Sequence, residues 1–348
     1  QPVLDGLAGR KTAALARAIS LVENGSPGFE ELLAGLHGKL GKARRIGITG
    51  PPGAGKSTLT ERLTAAYRAQ GLTVAVIAVD PSSPFTGGAL LGDRIRMERS
   101  SLDEGVFIRS MATRGSVGGM GTTTGETADV MDAYGFDRIL IETVGVGQSE
   151  LNVAAAADST VVVLVPESGD GIQVMKAGLM EIADIFVVNK ADRPGADKIR
   201  QELEVAIGLR TGQAYRHVKA HHGMAGSREG GKAGSKPGHD LPPSRLPALP
   251  PDWEPPVLPT IASQGDGVTE LVAALDRHFA FWSESGRLEE RRAMRMQLRT
   301  REVVERAVRR WIWSDGQKEE MDAVMKDVAA GTRSPYEAAA ALVARLQG

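Results

Sequence analysis

The sequence predicts an α/β protein built on a mostly parallel β-sheet flanked by helices. Three observations carry that expectation. From Arg45 onward, short β-rich segments alternate with helical stretches. Most of these segments are apolar almost throughout, as strands covered on both faces must be. The first of them runs straight into a glycine-rich turn that opens a helix.

In chain order, residues 1–43 read as an N-terminal helical extension. Leu15, Ile19 and Val22 share one helix face, and so do Leu32, Leu33 and Leu36 after the break at Ser26-Pro27-Gly28. Residues 44–282 carry the sheet. Its expected strands are Arg45–Thr49, Thr73–Val79, Val106–Ser110, Arg138–Glu142, Thr160–Val165, Ile185–Asn189 and Val257–Ala262. The stretch 223–259 is rich in Gly, Ser, Lys and Pro and reads as a flexible surface insertion. A helix is expected over Thr269–Trp282. Residues 283–348 form a C-terminal helical region, led by a long charged helix over Gly286–Ser314 whose apolar positions include Leu288, Val304, Val308, Trp311 and Ile312. Ser334-Pro335-Tyr336-Glu337 is a capping box with proline at the first helical position, so a last helix starts there.

The bulk numbers set limits. The 348 residues include 42% hydrophobic and 24% charged side chains at a formal net charge of −1. That supports a full core and gives no overall field to hold nucleic acid or an anionic membrane, so neither is expected as a partner. The absence of cysteine excludes disulfides, thiolate zinc sites and thiol catalysis. No apolar run approaches the roughly 20 residues of a membrane span, and Gln1–Lys11 shows no leader pattern. A cytoplasmic protein is expected.

Gly50-Pro-Pro-Gly53-Ala54-Gly55-Lys56-Ser57 fits G-x-x-x-x-G-K-[ST] between an apolar strand and a helix with Leu59 and Leu63 on one side. Glycines let the chain wrap closely round phosphate oxygens, so that successive N–H groups, ending at Ser57 and Thr58 on the helix N-terminus, face the anion. Lys56 neutralises the β- and γ-phosphates and Ser57 offers a hydroxyl to Mg²⁺. A plain glycine turn between strand and helix is the simpler reading, but it does not account for the full pattern.

Asn189-Lys190-Ala191-Asp192 ends a late strand. A carboxylate only accepts hydrogen bonds, and guanine presents N1–H and a 2-amino group side by side where adenine has neither. Asp192 therefore selects guanine, Lys190 lays its stem along the base, and Asn189 ties this loop to the phosphate loop. Ala262-Ser263 supplies a backbone partner for the guanine carbonyl. Alone, the tetrapeptide also reads as a helix start capped by Asp.

Three carboxylates are candidates for Mg²⁺ and catalysis: Asp80, Asp93 and Glu142. Asp80 and Glu142 end strands, where side chains reach the ligand crevice of an open α/β sheet; helix capping or surface charge is the alternative for each. The Gly145 amide can meet a γ-phosphate and lose it on hydrolysis, which makes Val144–Glu150 a switch candidate. Gln148 can orient water. Arg114, in a Gly- and Thr-rich loop, either supplies positive charge to the transition state or is a solvated surface residue.

Gly47–Ser57, Val79–Pro84, Gly87–Arg94, Arg109–Gly115, Glu142–Glu150 and Asn189–Asp192 together resemble the MeaB/ArgK/MMAA group, GTPase chaperones of adenosylcobalamin-dependent acyl-CoA mutases. The resemblance spans roughly Leu15–Gly212 and resumes from Trp253. It implies a P-loop GTPase domain with GTP or GDP and Mg²⁺ as its ligands, and slow hydrolysis stimulated by the mutase. Cobalamin is met only through that partner; the GTPase gates cofactor delivery to the mutase and protects it. It also implies a homodimer joined by a C-terminal dimerisation arm. Lys56, Asp80, Asp93 and Glu142 fall on the family's phosphate, Mg²⁺ and catalytic positions. Pro166–Lys176 resembles a further switch, with Gln173 and Lys176 facing the mutase. This sequence departs from the group in a longer 223–250 stretch and in Ser116, which stands where a histidine is expected.

Three rival readings remain open. A nickel-insertion GTPase would use His217, His221, His222 and His239, yet no cysteine completes a soft site. A kinase would need an acceptor pocket with its own base. A nucleotide-dependent scaffold would show negligible turnover.

Overall fold

The computed structural model describes residues 2–81, 102–113, 120–143, 149–166, 178–210, 253–312 and 318–345. Asp93, Arg114, Ser116, Gly145, Gln148, Gln173, Lys176 and the four histidines between 217 and 239 lie outside these residues. The chain divides into two units, Gln1–Arg295 and Met296–Gly348.

In the first unit, seven strands form one sheet: β1 (Arg44–Thr49), β2 (Val74–Pro81), β3 (Val106–Thr113), β4 (Arg138–Thr143), β5 (Ser159–Leu164), β6 (Ile185–Asn189) and β7 (Val257–Thr260). Their order is β3-β2-β4-β1-β5-β6-β7 and every neighbouring pair is parallel. The chain moves one way from β1 and later the other, so strand ends flanking β1 border the crevice where such sheets take ligands.

The apolar runs divide between two faces with the two-residue period of a strand. Ile77, Val79, Ile139 and Ile141 pack on one side against α2 (Thr12–Asn24), α3 (Phe29–Leu36) and α5 (Met120–Tyr134). Val74, Val76, Leu140, Val161 and Val187 turn to the other side, against α4 (Lys56–Ala69) and α9 (Val268–Glu284). Val162, Leu164, Phe186 and Val188 meet α6 (Ser149–Ala156), α7 (Leu179–Ile182) and α8 (Ala196–Arg210). The N-terminal helices α1 (Pro2–Ala8), α2 and α3 are part of this core: Leu15, Ile19, Val22, Leu32 and Leu36 are buried in it. On α4, Leu59, Leu63 and Tyr67 are fully enclosed, and cutting Leu63 back to Ala costs about 2–5 kcal/mol.

Two strand ends differ from expectation. β3 runs on to Thr113 because β2 continues to Pro81 beside it, pairing Asp80 with Ala112 and Pro81 with Thr113. β7 stops at Thr260 because Ile261 turns aside to bridge Asp266. The last residues of the expected insertion are also built into the fold. The Trp253 indole donates to the Asp184 carbonyl at 2.9 Å and packs edge-on against His278, and β7 begins four residues later.

A belt of buried charge crosses the lower end of the sheet, where strands begin. Asp158 precedes β5 and Asp184 precedes β6, and both are fully buried. Helix α10 (Arg287–Ile312) brings its first turns to them. Arg292 and Arg295 reach Asp158 at 2.8 and 3.0 Å, and Arg291 reaches Asp184 at 3.3 Å. Arg45 bridges Asp129 and Asp132, and Asp132 also accepts the amides of Gly41, Lys42 and Ala43. Burial opposes ionisation of Asp184, but Arg291, His278 and the Thr160 amide prevail and hold its carboxyl down at about 2. Burial opposes Asp158 likewise, and its arginines hold it lower still.

In the second unit, α11 (Lys318–Ala329) packs on α12 (Pro335–Arg345). The expected capping box is formed: the Ser334 hydroxyl accepts the Glu337 amide at 3.2 Å, and Glu337 accepts the Ser334 amide at 2.8 Å. Val304, Val308, Met325 and Tyr336 are exposed.

Candidate functional site

The glycine loop leaves the C-terminal end of β1 and curls back into α4. Gly50 lies at φ 138°, and a Cβ there would sit 2.1 Å from the Val163 carbonyl oxygen, so only glycine lets the loop pass β5 this closely. Gly55 lies at φ 86°, and a Cβ there would sit 2.3 Å from the Asn189 amide nitrogen. The loop closes on itself with Ala54 N–H donating to the Pro51 carbonyl at 3.3 Å. The N–H groups of Gly53, Gly55, Ser57 and Thr58 meet no protein acceptor among the described residues. Those of Gly55, Ser57 and Thr58 are orphan donors of a helix start, where the helix dipole adds partial positive charge, and Gly53 adds one from the loop before it. The Lys56 ammonium is folded into the loop and donates to the carbonyls of Gly50 and Pro51, each at 2.9 Å.

Glu142, buried near the end of β4, accepts the Ser57 hydroxyl at 2.5 Å. Beside them Thr143 donates to Thr49 at 3.0 Å and locks the ends of β4 and β1 together. A hydroxyl and a carboxylate touching beside a ring of phosphate-seeking amides form an oxygen-only donor set. That suits a hard divalent cation such as Mg²⁺, which takes one or two protein oxygens and fills the rest from phosphate and water. Asp80 lies in β2 opposite Ala112, at the same end of the sheet.

The third part is made by β6 and β7. Asn189, buried at the end of β6, donates to the Ala54 carbonyl at 2.8 Å, which is the tie to the phosphate loop expected from sequence. Its oxygen accepts the Thr260 hydroxyl at 3.1 Å and the Ala262 amide at 3.0 Å. Lys190 then takes a left-handed conformation, φ 56°, which costs a non-glycine residue on the order of 1 kcal/mol. The turn is held by Ala191 N–H donating to the Thr260 carbonyl and Arg193 N–H donating to that of Lys190. Asp192 is left exposed at its rim.

Two findings were not foreseen. The Ala262 amide, expected to face a ligand carbonyl, is engaged by Asn189. Arg62 of α4 donates to the carbonyls of Ala262 and Ser263. No sequence signal announces that contact, because its partners lie 200 residues apart.

The structure thus brings Gly53–Thr58, Glu142, Asn189–Asp192 and Ala262 to the strand-end crevice. The family model described as "Methylmalonyl Co-A mutase-associated GTPase MeaB" matches residues 15–317. The chain belongs to the MeaB family. A protein of Pyrococcus abyssi that also carries GTPase in its name is 43% identical over 335 residues, 96% of this chain and 93% of its own length. GTPase ArgK of Escherichia coli is 44% identical over 184 residues, 52% of this chain and 56% of its own. Among solved structures, one described as a LAO/AO transport system kinase superposes with a TM-score of 0.63 at 26% identity, covering 100% of this chain and 97% of that one. As a MeaB-family GTPase, the chain uses the mostly parallel, helix-flanked sheet expected of it, with its glycine loop at the central strand. Among the described residues no helix is long and apolar enough to cross a membrane, and no three His, Cys, Asp or Glu side chains cluster as a metal site.

Proposed function

We propose that this chain binds GTP with Mg²⁺, hydrolyses it slowly, and uses the cycle to gate delivery of adenosylcobalamin to an acyl-CoA mutase that it also protects. The observation that carries the nucleotide reading is the concave run of unspent amides at Gly53, Gly55, Ser57 and Thr58. In this reading Lys56 exchanges the carbonyls of Gly50 and Pro51 for β- and γ-phosphate oxygens. That exchange needs only a rotation of its flexible stem and gains a charge-assisted contact. Ser57 and Glu142, with Asp80 and Asp93, hold the cation, which when bound neutralises charge on the β- and γ-oxygens. The carboxylates of Asp80, Asp93 and Glu142 also orient the attacking water.

Asp192 accepts the N1–H and 2-amino donors of guanine, Lys190 lies along the base, and Asn189 keeps base loop and phosphate loop in register. The Gly145 amide reads the γ-phosphate. Gln173 and Lys176 pass nucleotide state to the mutase, and cobalamin is met only on that partner. The family name supports the mutase as partner. Residues 283–348 serve as the dimerisation region, with Trp311 and Ile312 as the anchors that a second copy covers, and Val304 and Val308, exposed one turn apart on α10, add apolar surface. The cytoplasm is the proposed compartment.

The test is steady-state phosphate release from GTP, with and without purified adenosylcobalamin-dependent acyl-CoA mutases. Stimulation by one of them supports the reading. Equal rates with every mutase refute the chaperone role, and no GTP turnover under any condition refutes the enzyme.

A further inference from the structure

We infer that Arg62 is a positioning residue for guanine, aiming one backbone amide at the base carbonyl. The inference rests on the reading above that guanine sits between Asn189–Asp192 and the loop after β7.

That loop spends nearly all its amides on protein acceptors. Ile261 N–H donates to the Asp266 carbonyl at 3.0 Å, while those of Gln264 and Gly265 donate to Ile261 at 2.9 and 3.0 Å. The Ala262 N–H donates to Asn189. Of the amides from 261 to 265, the Ser263 N–H alone has no protein acceptor among the described residues. It is the donor this loop can offer a ligand carbonyl.

Its direction is fixed by the other side of its own peptide plane. In a trans peptide the carbonyl of one residue and the N–H of the next point in opposite directions, and the described chain holds no cis bond. The carbonyl paired with the Ser263 N–H is that of Ala262, and Arg62 Nε donates to it at 3.0 Å. Arg62 Nη2 takes the next carbonyl, Ser263, at 2.5 Å. One planar guanidinium thus pins two consecutive peptides, with the geometric fork that a lysine ammonium lacks. Donation to the Ala262 oxygen also polarises the same amide group, which strengthens the Ser263 N–H as a donor. Asn189 holds the loop on the opposite side through the Ala262 amide. Arg62 sits on α4, whose first turn faces the phosphates, so one helix sets both ends of the nucleotide site.

The experiment compares the unaltered protein with Arg62→Ala and Arg62→Lys, using calorimetric binding of GDP and of inorganic tripolyphosphate, GTPase kinetics and thermal denaturation. Arg62→Ala is expected to weaken GDP about tenfold, as for one well-placed hydrogen bond. KM for GTP should rise by a similar factor while kcat, tripolyphosphate affinity and the thermal midpoint hold. Arg62→Lys should recover part of the loss. Unchanged GDP affinity in Arg62→Ala overturns the inference, and so does an equal loss for GDP and tripolyphosphate or a lowered midpoint, which marks a merely structural brace. If the unaltered protein binds tripolyphosphate but shows no preference for GDP over ADP, the guanine reading itself fails, and the inference with it.

Discussion

Replacing Asn189 by alanine removes the side chain that ties the phosphate loop to β7 and to the loop after it. Its amide nitrogen holds the Ala54 carbonyl, and its oxygen holds the Thr260 hydroxyl and the Ala262 amide. All three partners are at most 2% exposed, so none has bulk water to turn to. A buried polar group left alone costs about 1–3 kcal/mol, and small movements admit some solvent, so the lower figure applies: about 3 kcal/mol in all. At roughly 2 °C per kcal/mol for a large unit, the thermal midpoint falls by about 6 °C. Two of the bonds, to Ala54 and Ala262, order the phosphate and base loops. Losing about 2 kcal/mol of that ordering raises the Kd for GDP on the order of 30-fold. Asn189→Asp is the informative companion. It keeps an oxygen for Thr260 and Ala262 but sets a second oxygen against the Ala54 carbonyl, so it breaks only the tie to the phosphate loop. Fluorescent-GDP titration and thermal denaturation read both effects. An alanine variant within about 1 °C and twofold of the parent protein would show that these bonds carry nothing, and the reasoning fails.

Three further outcomes are expected. Lys56→Ala should abolish triphosphate binding or turnover, since no other side chain in the loop offers a positive charge; normal phosphate release would refute the loop assignment. Asp192→Asn should weaken GTP and favour xanthosine triphosphate, because the new amide donor faces a carbonyl in place of the 2-amino group; competition binding decides, and an unchanged order of preference counts against the base assignment. Asp184 has its folded carboxyl lowered from 3.8 to about 2, so the stability it contributes is complete above 3.8 and is lost as pH falls toward 2. That difference is on the order of 2 kcal/mol; denaturation midpoints that are the same at pH 5 and pH 3 would contradict it.

The site was legible in the sequence to the extent that its chemistry is local. The glycine loop is written in consecutive residues, and its two required conformations at Gly50 and Gly55 show as glycines. Asn189 was readable as a tie because its place after a strand limits what it can reach. The strand alternation was equally open, since Ile139 and Ile141 face one side and Leu140 the other. What stayed hidden depends on contacts between distant segments. The grip of Arg62 on Ala262 and Ser263, and that of Arg291, Arg292 and Arg295 on Asp184 and Asp158, join residues more than 100 apart. In the sequence these arginines look like the solvated face of a charged helix. A separation of 73 residues likewise conceals the engagement of Ala262, whose amide looks unspent until Asn189 is placed beside it.

The three arginines at the start of α10 bear on how the molecule can be divided. A chain ending at Gly286 would keep every residue named at the nucleotide crevice, yet strand two buried anions, Asp158 and Asp184, without the guanidinium groups of α10. Removing one side of a buried pair costs about 3–5 kcal/mol, a large share of the roughly 5–15 kcal/mol that holds a domain folded. The smallest piece expected to stay folded around the crevice therefore extends through Arg295, and the first turns of α10 are the floor beneath the sheet.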